Sequence, residues 1–169
     1  MHPKSFYHNY QAANQLFEID DMLIKKVLSV NPTSVFDFGT GTGKNIAKLL
    51  DINQSISVAG MDMSFLNIIH ARAKNELPFL MIGDEYHLCR LRNFDVVMTC
   101  SVLCHIEDIQ EIVAQFKQIA KSHIIIAETS DVIGDFYYSH DYEAMGFVPT
   151  GANWLSTTGA LYKIYSLTI

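Results

Sequence analysis

Long hydrophobic runs, a secretory leader and an even set of cysteines are all missing from this sequence of 169 residues. No apolar run approaches the roughly 20 residues that a membrane-spanning helix needs. The opening stretch MHPKSFYHNYQAANQ is polar and aromatic, without the apolar core of a signal peptide. The odd number of cysteines (Cys89, Cys100 and Cys104) favours reduced thiols over a disulfide framework. These absences predict a cytoplasmic protein with no membrane association.

Basic side chains are also scarce. The chain carries 12 Lys and Arg against 18 Asp and Glu, a formal net charge of −6. Proteins that bind nucleic acid usually show a basic patch or stripe, whereas here the close basic pairs are Lys25/Lys26, Arg72/Lys74 and Arg90/Arg92. The charge balance argues against a nucleic acid partner and favours a small molecule that is neutral or cationic.

What the sequence does contain is an alternation of short apolar runs and amphipathic helices, in a length typical of one domain. Apolar runs predict strands at 34–38, 56–61, 78–82, 94–99 and 123–128. Apolar residues at steps of three and four predict helices at 20–30, 44–50, 65–75, 107–121 and 135–145. Residues 147–169 are predicted to form two strands joined near Ser156–Gly159, and the crossover at 83–93 is too short for a full helix.

This order of elements predicts an α/β fold. We expect a single doubly wound, mostly parallel seven-stranded sheet with an antiparallel C-terminal edge strand. Residues 1–169 are predicted to form one domain, with an N-terminal helical lid at 1–33 and the sheet core at 34–169. The aromatic segments 1–19 and 129–142 are predicted to fold over the carboxyl edge of the sheet and exclude water there.

The sharpest local signal is a glycine-rich turn, Asp-Phe-Gly-Thr-Gly-Thr-Gly at 37–43, between a predicted strand and a predicted helix. Glycine is needed where the backbone takes positive φ or approaches a ligand closely, and the helix start offers free N–H groups. A dinucleotide motif G-x-G-x-x-G fails in both registers, because its third glycine would fall on Lys44 or Ile46. A phosphate-binding P-loop fails at Phe38 and Asn45.

The pattern Asp37-x-Gly39-x-Gly41-x-Gly43 resembles the first motif of the class I S-adenosylmethionine-dependent methyltransferases, which have a Rossmann-like fold. Three later segments are similar to that family in the same order: 58–64 ending its second strand, Gly83-Asp84 after the third, and 94–108 at the fourth strand and its loop. The likeness covers residues 34–128 well and the two ends loosely. It implies a methyltransferase that uses S-adenosylmethionine and releases S-adenosylhomocysteine.

The resemblance also implies roles for individual residues. Gly39, Gly41 and Gly43 would pass under the methionine part of the cofactor, and Asp37 would help to hold its ammonium group. Asp62 would bind the ribose, Met63 would pack on the adenine, and Asp84 would accept from the adenine amino group. Thr99, at the end of the fourth strand, completes the predicted cofactor-binding set. Asp62 and Asp84 have a plainer alternative, in which each carboxylate only ends a strand in a turn.

His105 is the candidate catalytic base, because it follows the fourth strand at the edge where ligands bind in this architecture. The structural alternative is a histidine that bonds backbone groups near the next helix. Cys100, Cys104 and His105 do not supply the roughly four spaced ligands of a zinc site, so no metal is predicted. The runner-up function is a methyltransferase-like module that binds the cofactor and catalyses nothing, for which the short crossover and the lack of a substrate insertion leave room.

Overall fold

One seven-stranded sheet organises the chain. The computed structural model describes residues 17–75, 77, 79–91, 93–129, 137–157 and 159–169. Within them the strands are β1 Ser34–Phe38, β2 Ser57–Asp62, β3 Leu80–Ile82, β4 Phe94–Cys100, β5 Ala120–Thr129, β6 Val148–Leu155 and β7 Leu161–Thr168. The α-helices are α1 Glu18–Leu28, α2 Lys44–Ile52, α3 Phe65–Asn75 and α4 Gln110–Ile119, with 3-10 helices at Glu85–Arg90 and Leu103–His105.

The strand order in the sheet is β3-β2-β1-β4-β5-β7-β6. The strands β1 to β5 pair in parallel, and β7 pairs antiparallel with both β5 and β6. This confirms the predicted fold class, with the added detail that β6 covers the outer side of the antiparallel strand. The order reverses between β1 and β4, and open α/β sheets bind ligands beyond the carboxyl ends of the strands at such a point.

Helices cover both faces of the sheet. On one face α1, α2 and α3 bury apolar side chains against the strands, including Leu23, Ile46 and Ile68 with no exposed area. On the other face α4 packs with the 3-10 residue Leu88 and with Tyr142 and Phe147. Helix α1 is therefore a core element. The predicted lid stays a prediction for residues 1–16 and 130–136, which lie outside the described residues.

Of the predicted helices, those at 107–121 and 135–145 differ most from the structure. The helix expected at 107–121 begins at Gln110, because the Asp108 carboxylate accepts the Gln110 N–H at 3.0 Å, and it ends at Ile119, where β5 takes over. The helix expected at 135–145 is wrong over its described part, since 137–141 is irregular and 142–146 is a turn. That turn closes on Tyr142, whose carbonyl accepts the Met145 and Phe147 N–H groups at 3.1 Å each.

A carboxylate network ties β1 to β4 at the amino edge of the sheet. Asp95 Oδ2 accepts the Thr33 and Ser34 N–H groups at 2.8 and 3.1 Å, and Lys121 Nζ lies 3.4 Å from Oδ1. The Thr33 hydroxyl and N–H groups, with help from Lys121, lower the pKa of Asp95 to about 2. The network holds the end of the sheet opposite to the one where ligands bind. Among the described residues, no helix is long and apolar enough to cross a bilayer.

Candidate functional site

The glycine-rich turn lies where β1 ends, beside the point at which the strand order reverses. Gly39, Gly41 and Gly43 have φ values of +71°, +56° and +75°, a backbone region that side chains with a Cβ rarely adopt. The Gly39 N–H donates to the Met61 carbonyl of β2 at 2.8 Å, which ties the turn to the neighbouring strand. Gly43 is the N-cap of α2, so the turn delivers the chain directly into the helix start.

The three glycines face different surroundings. A Cβ at Gly39 would lie 2.3 Å from Val102 Cγ2, and one at Gly43 would lie 2.9 Å from Leu77 Cδ1. A Cβ at Gly41 would meet no atom of the described residues within 4 Å. The outer two glycines are thus required by packing and by φ, whereas Gly41 borders open space at the edge of the sheet. That space is the candidate ligand site.

Asp37 lies at the floor of this site with 1% of its surface exposed. Its Oδ2 atom has no hydrogen-bond partner among the described residues, and the same holds for the buried Thr99 hydroxyl on the neighbouring strand. Burial raises the pKa of Asp37 to about 7; the Thr40 hydroxyl opposes this, the Asp62 and Asp20 carboxylates add to it, and Lys44 opposes it. A buried polar atom without a partner is costly, so the Asp37 carboxylate marks a place suited to a polar or cationic group.

Asp62 ends β2 and holds the turn together. Its Oδ2 accepts the Gly41 N–H at 2.8 Å, and its Oδ1 accepts the Ser64 N–H at 2.8 Å. Asn67 Nδ2 lies 3.4 Å from the same Oδ1. Each carboxylate oxygen can accept more than one hydrogen bond, so a carboxylate that holds backbone N–H groups can also accept from ligand hydroxyls. The structural and ligand-binding roles considered for Asp62 are therefore compatible.

Met63 and Asp84 complete the far side of the site. Met63 follows β2 and is 39% exposed, which leaves its thioether available to a flat apolar ligand group. Asp84 follows β3 and caps the adjacent 3-10 helix, with its Oδ1 accepting the Tyr86 N–H at 3.2 Å and lying 2.8 Å from His87 Nδ1. The Gly83 N–H donates to the Asp62 carbonyl at 3.0 Å, so the two strand ends are joined.

His105 lies on the loop that follows β4. Its ring lies against that of Tyr137, with the ring centroids 4.7 Å apart. Its backbone N–H donates to the Val102 carbonyl at 3.0 Å. The side chain of Val102 in the same loop covers Gly39. The loop therefore borders the glycine-rich turn, and the predicted site residues line up along the carboxyl ends of β1 to β4.

Comparison with known proteins now decides the family. A model described as a methyltransferase domain matches residues 36–126, more than half of the chain. The chain belongs to this methyltransferase domain family. The match includes the glycine-rich turn, the ends of β2 and β3, and the loop that carries His105, so it confirms the family predicted from those motifs. No curated protein matches the sequence significantly.

Solved structures share the fold of this methyltransferase at low sequence identity. The magnesium protoporphyrin IX methyltransferase of Synechocystis PCC 6803, with bound S-adenosylhomocysteine, has a TM-score of 0.71 at 19% identity, covering 89% of this chain and 81% of that one. A SAM-dependent methyltransferase of Aquifex aeolicus has a TM-score of 0.66 at 15% identity over 99% and 100%. A structure on thioacetal formation in echinomycin biosynthesis has a TM-score of 0.73 at 18% identity over 98% and 91%.

Two charged groups of this methyltransferase site were missed by the sequence reasoning. Asp20 of α1, predicted only to start the helix, is fully buried. Its Oδ2 lies 2.9 Å from Nζ of Lys44, the residue directly after the glycine-rich turn. Glu128 of β5 is fully buried and accepts the N–H groups of Val102, Leu103 and Cys104 at 2.9, 3.0 and 3.2 Å. The available signal was the position of Glu128, a charged residue directly after the apolar run 124–127.

The thiols near the methyltransferase site are held in the neutral form. Burial raises the pKa of Cys100 and of Cys104, and the nearby carboxylates of Asp20 and Glu128 respectively act in the same direction. Thiolates are the nucleophilic form of cysteine, so neither side chain suits covalent chemistry. Among the described residues, no group of three or more His, Cys, Asp or Glu side chains could hold a metal ion.

Proposed function

We propose that this chain binds S-adenosylmethionine at the carboxyl edge of its sheet and transfers the methyl group to a small-molecule acceptor. The observation that carries the proposal is the buried Asp37 carboxylate, whose Oδ2 has no partner among the described residues, beside the open space at Gly41. A cationic ammonium group fits such a carboxylate, and only a backbone without a Cβ leaves the space for it. Bound structures of fold relatives carry S-adenosylhomocysteine, which supports the choice of ligand.

The side chains around the turn fit the remaining parts of that cofactor. Asp62 has carboxylate lone pairs to accept from ribose hydroxyls, and the exposed thioether of Met63 suits the face of an adenine ring. Asp84, 32% exposed in its side chain, can accept from an exocyclic amino group. Thr99 pairs with Phe38 in the register of β1 and β4, so it would contact the cofactor from the face of the sheet opposite to that of Asp37.

Methyl transfer needs little from the protein beyond holding the acceptor in line with the methyl group and excluding water from it. When bound, the sulfonium supplies an electrophilic methyl group, and holding an acceptor in line with it can contribute ~7–11 kcal/mol through effective molarity at best. In the proposal His105 takes a proton from the acceptor where one must leave. Its half-buried ring, set against Tyr137, lies on the loop that borders the glycine-rich turn.

Charge and the fold relatives support a small acceptor. The net charge of −6 disfavours an anionic partner such as nucleic acid. The relatives named above come from work on magnesium protoporphyrin IX and on echinomycin biosynthesis, both small molecules compared with nucleic acid. The charge suits a neutral or cationic acceptor more closely than an anionic one.

Calorimetry tests the ligand and a labelling assay tests the reaction. The protein should bind S-adenosylmethionine and S-adenosylhomocysteine and ignore ATP and NAD. With a cofactor labelled in the methyl group, label should enter small amines or phenols from a metabolite extract and not added tRNA or DNA. Tight binding of NAD without S-adenosylhomocysteine would refute the proposal. Binding of the cofactor with no transfer to any fraction would favour the non-catalytic module.

A further inference from the structure

The loop between β4 and α4 is held from one side by a single buried carboxylate. Three successive N–H groups, those of Val102, Leu103 and Cys104, converge on the two oxygens of Glu128 within 3.2 Å. Consecutive backbone N–H groups that point at one anion form a nest, and hydrogen bonds to an ionised acceptor are stronger than neutral ones. Here the group that fills the nest is a side chain of the protein itself.

The opposite side of the same loop is held through its carbonyl groups. His140 Nε2 lies 3.1 Å from the Leu103 carbonyl and 2.9 Å from the Ile106 carbonyl, and the Tyr138 N–H donates to the Cys104 carbonyl at 2.7 Å. The loop starts with Ser101 at a φ of +57°, which a residue with a Cβ adopts only when surrounding contacts impose it. The loop thus owes its shape to contacts from β5 and from 138–140.

The position of this loop sets one wall of the ligand site. Val102 lies so close to Gly39 that a single added Cβ would come within 2.3 Å of it. His105 follows three residues later, and its N–H bond to the Val102 carbonyl closes the 3-10 turn. A shift of the loop would therefore move both the cover over the glycine-rich turn and the candidate base. Glu128 itself lies beneath the loop, fully buried.

We propose that Glu128 is a positioning residue, whose carboxyl group holds the β4–α4 loop against the glycine-rich turn and thereby sets cofactor affinity. The inference rests on the proposed function for its ligand, S-adenosylhomocysteine, and goes beyond it in naming a residue that acts through the backbone of the loop. Asp95 provides the matched control, since it also accepts backbone N–H groups from another segment, at the opposite edge of the sheet.

The first test compares Glu128→Gln with Asp95→Asn. A glutamine keeps the size of the side chain but turns one oxygen into a donor, so at least one of the three N–H groups loses its acceptor. Glu128→Gln should raise the dissociation constant of S-adenosylhomocysteine at least ten-fold in calorimetry, while Asp95→Asn should leave it within two-fold. Equal effects of the two variants, or a Glu128→Gln variant that binds within two-fold of wild type, would overturn the proposal.

The second test uses the unmodified protein and so does not depend on a variant that folds. Ligand and loop must favour each other reciprocally, so S-adenosylhomocysteine should slow amide hydrogen exchange at Val102, Leu103 and Cys104 at least five-fold. The Thr33 and Ser34 amides, bonded to Asp95, should not change. Unaltered exchange at 102–104 in ligand-saturated protein would overturn the positioning role. A wild-type protein that binds no S-adenosylhomocysteine at all would instead refute the proposed function.

Discussion

Replacing Asp37 with asparagine should stabilise the free protein and weaken its ligand at the same time. The pKa of this carboxyl is raised from 3.8 to about 7, mainly by burial. The folded state therefore favours the protonated form, so stability is full below pH 3.8, falls as the pH rises towards 7 and is constant above it. Asparagine keeps the shape of the side chain and carries no charge to desolvate.

The magnitude follows from the two pKa values. At ~1.36 kcal/mol per pKa unit, the ionisation of Asp37 costs about 4 kcal/mol of folding free energy at pH 8. Because about two pH units separate pH 5 from the folded-state pKa, Asp37→Asn should gain about 3 kcal/mol more at pH 8 than at pH 5. In a domain of this size that difference corresponds to roughly 6–12 °C in the melting midpoint.

Thermal melts of Asp37→Asn and wild type at pH 5 and pH 8, without ligand, measure this difference. Asp95→Asn is the control of opposite sign, because the pKa of Asp95 is lowered to about 2. Its side chain contributes stability that is present above pH 3.8 and lost as the pH falls towards 2, so this variant should melt lower than wild type by the same amount at both pH values. A melting difference for Asp37→Asn that does not change between pH 5 and pH 8 would refute the reasoning.

Asp37→Asn should also bind S-adenosylhomocysteine at least ten-fold more weakly than the wild type at pH 8. A charge-assisted hydrogen bond is worth about 1.5–3 kcal/mol, and ~1.4 kcal/mol is ten-fold in affinity. Stability and binding should thus move in opposite directions, a combination that general damage to the fold cannot produce. Binding at full affinity would remove Asp37 from the proposed ammonium site.

Three further predictions concern the rest of the site. Gly41→Val should abolish S-adenosylhomocysteine binding, because the valine side chain fills the open space. Gly151→Val is the control and should keep the binding, since Gly151 also has a positive φ and open surroundings among the described residues. Equal binding by the two variants would contradict this prediction. Asp62→Ala should raise the dissociation constant of S-adenosylhomocysteine ten-fold or more. It should also lower the melting midpoint, because the Gly41 N–H loses its acceptor. An unchanged dissociation constant would mean that Asp62 has a structural role alone. Deleting residues 1–15 should leave ligand affinity within a few-fold and remove turnover, and full turnover would refute the lid.

Most of the sheet could be predicted because its strands are apolar in the way that central parallel strands must be. The strand at 34–38 and the helix at 65–75 have the observed bounds. The helix predicted at 135–145 is wrong because the described aromatic residues there do not form one buried helical face. Tyr142 alone among them is fully buried in the core. Tyr142 packs with Phe147 and Tyr165 on the α4 face of the sheet. Residues 142–146 form a turn that brings Phe147 next to Tyr142, so this contact does not come from a helix.

The glycine-rich turn was readable from the sequence, and the groups that support the loop beside it were not, for a physical reason. A run of glycines is a local requirement of the backbone, so Gly39, Gly41 and Gly43 can be recognised from their neighbours in sequence. Glu128 and His140 act on a loop that lies about 25 to 37 residues earlier in the chain. Contacts at that separation depend on the topology of the sheet, and no periodic pattern in one sequence encodes them.

The ends of the sheet carry a consequence for solubility. The edge strand β3 has only three residues, and the opposite edge strand β6 contains Pro149, which lacks an N–H, and a register irregularity between Pro149 and Asn153. Long regular edge strands recruit strands from other molecules and start aggregation. A sheet that ends in one very short strand and one interrupted strand offers poor templates for such recruitment. Straightening β6, for example by Pro149→Thr with Gly151→Val, should therefore promote precipitation at high concentration without touching the ligand site.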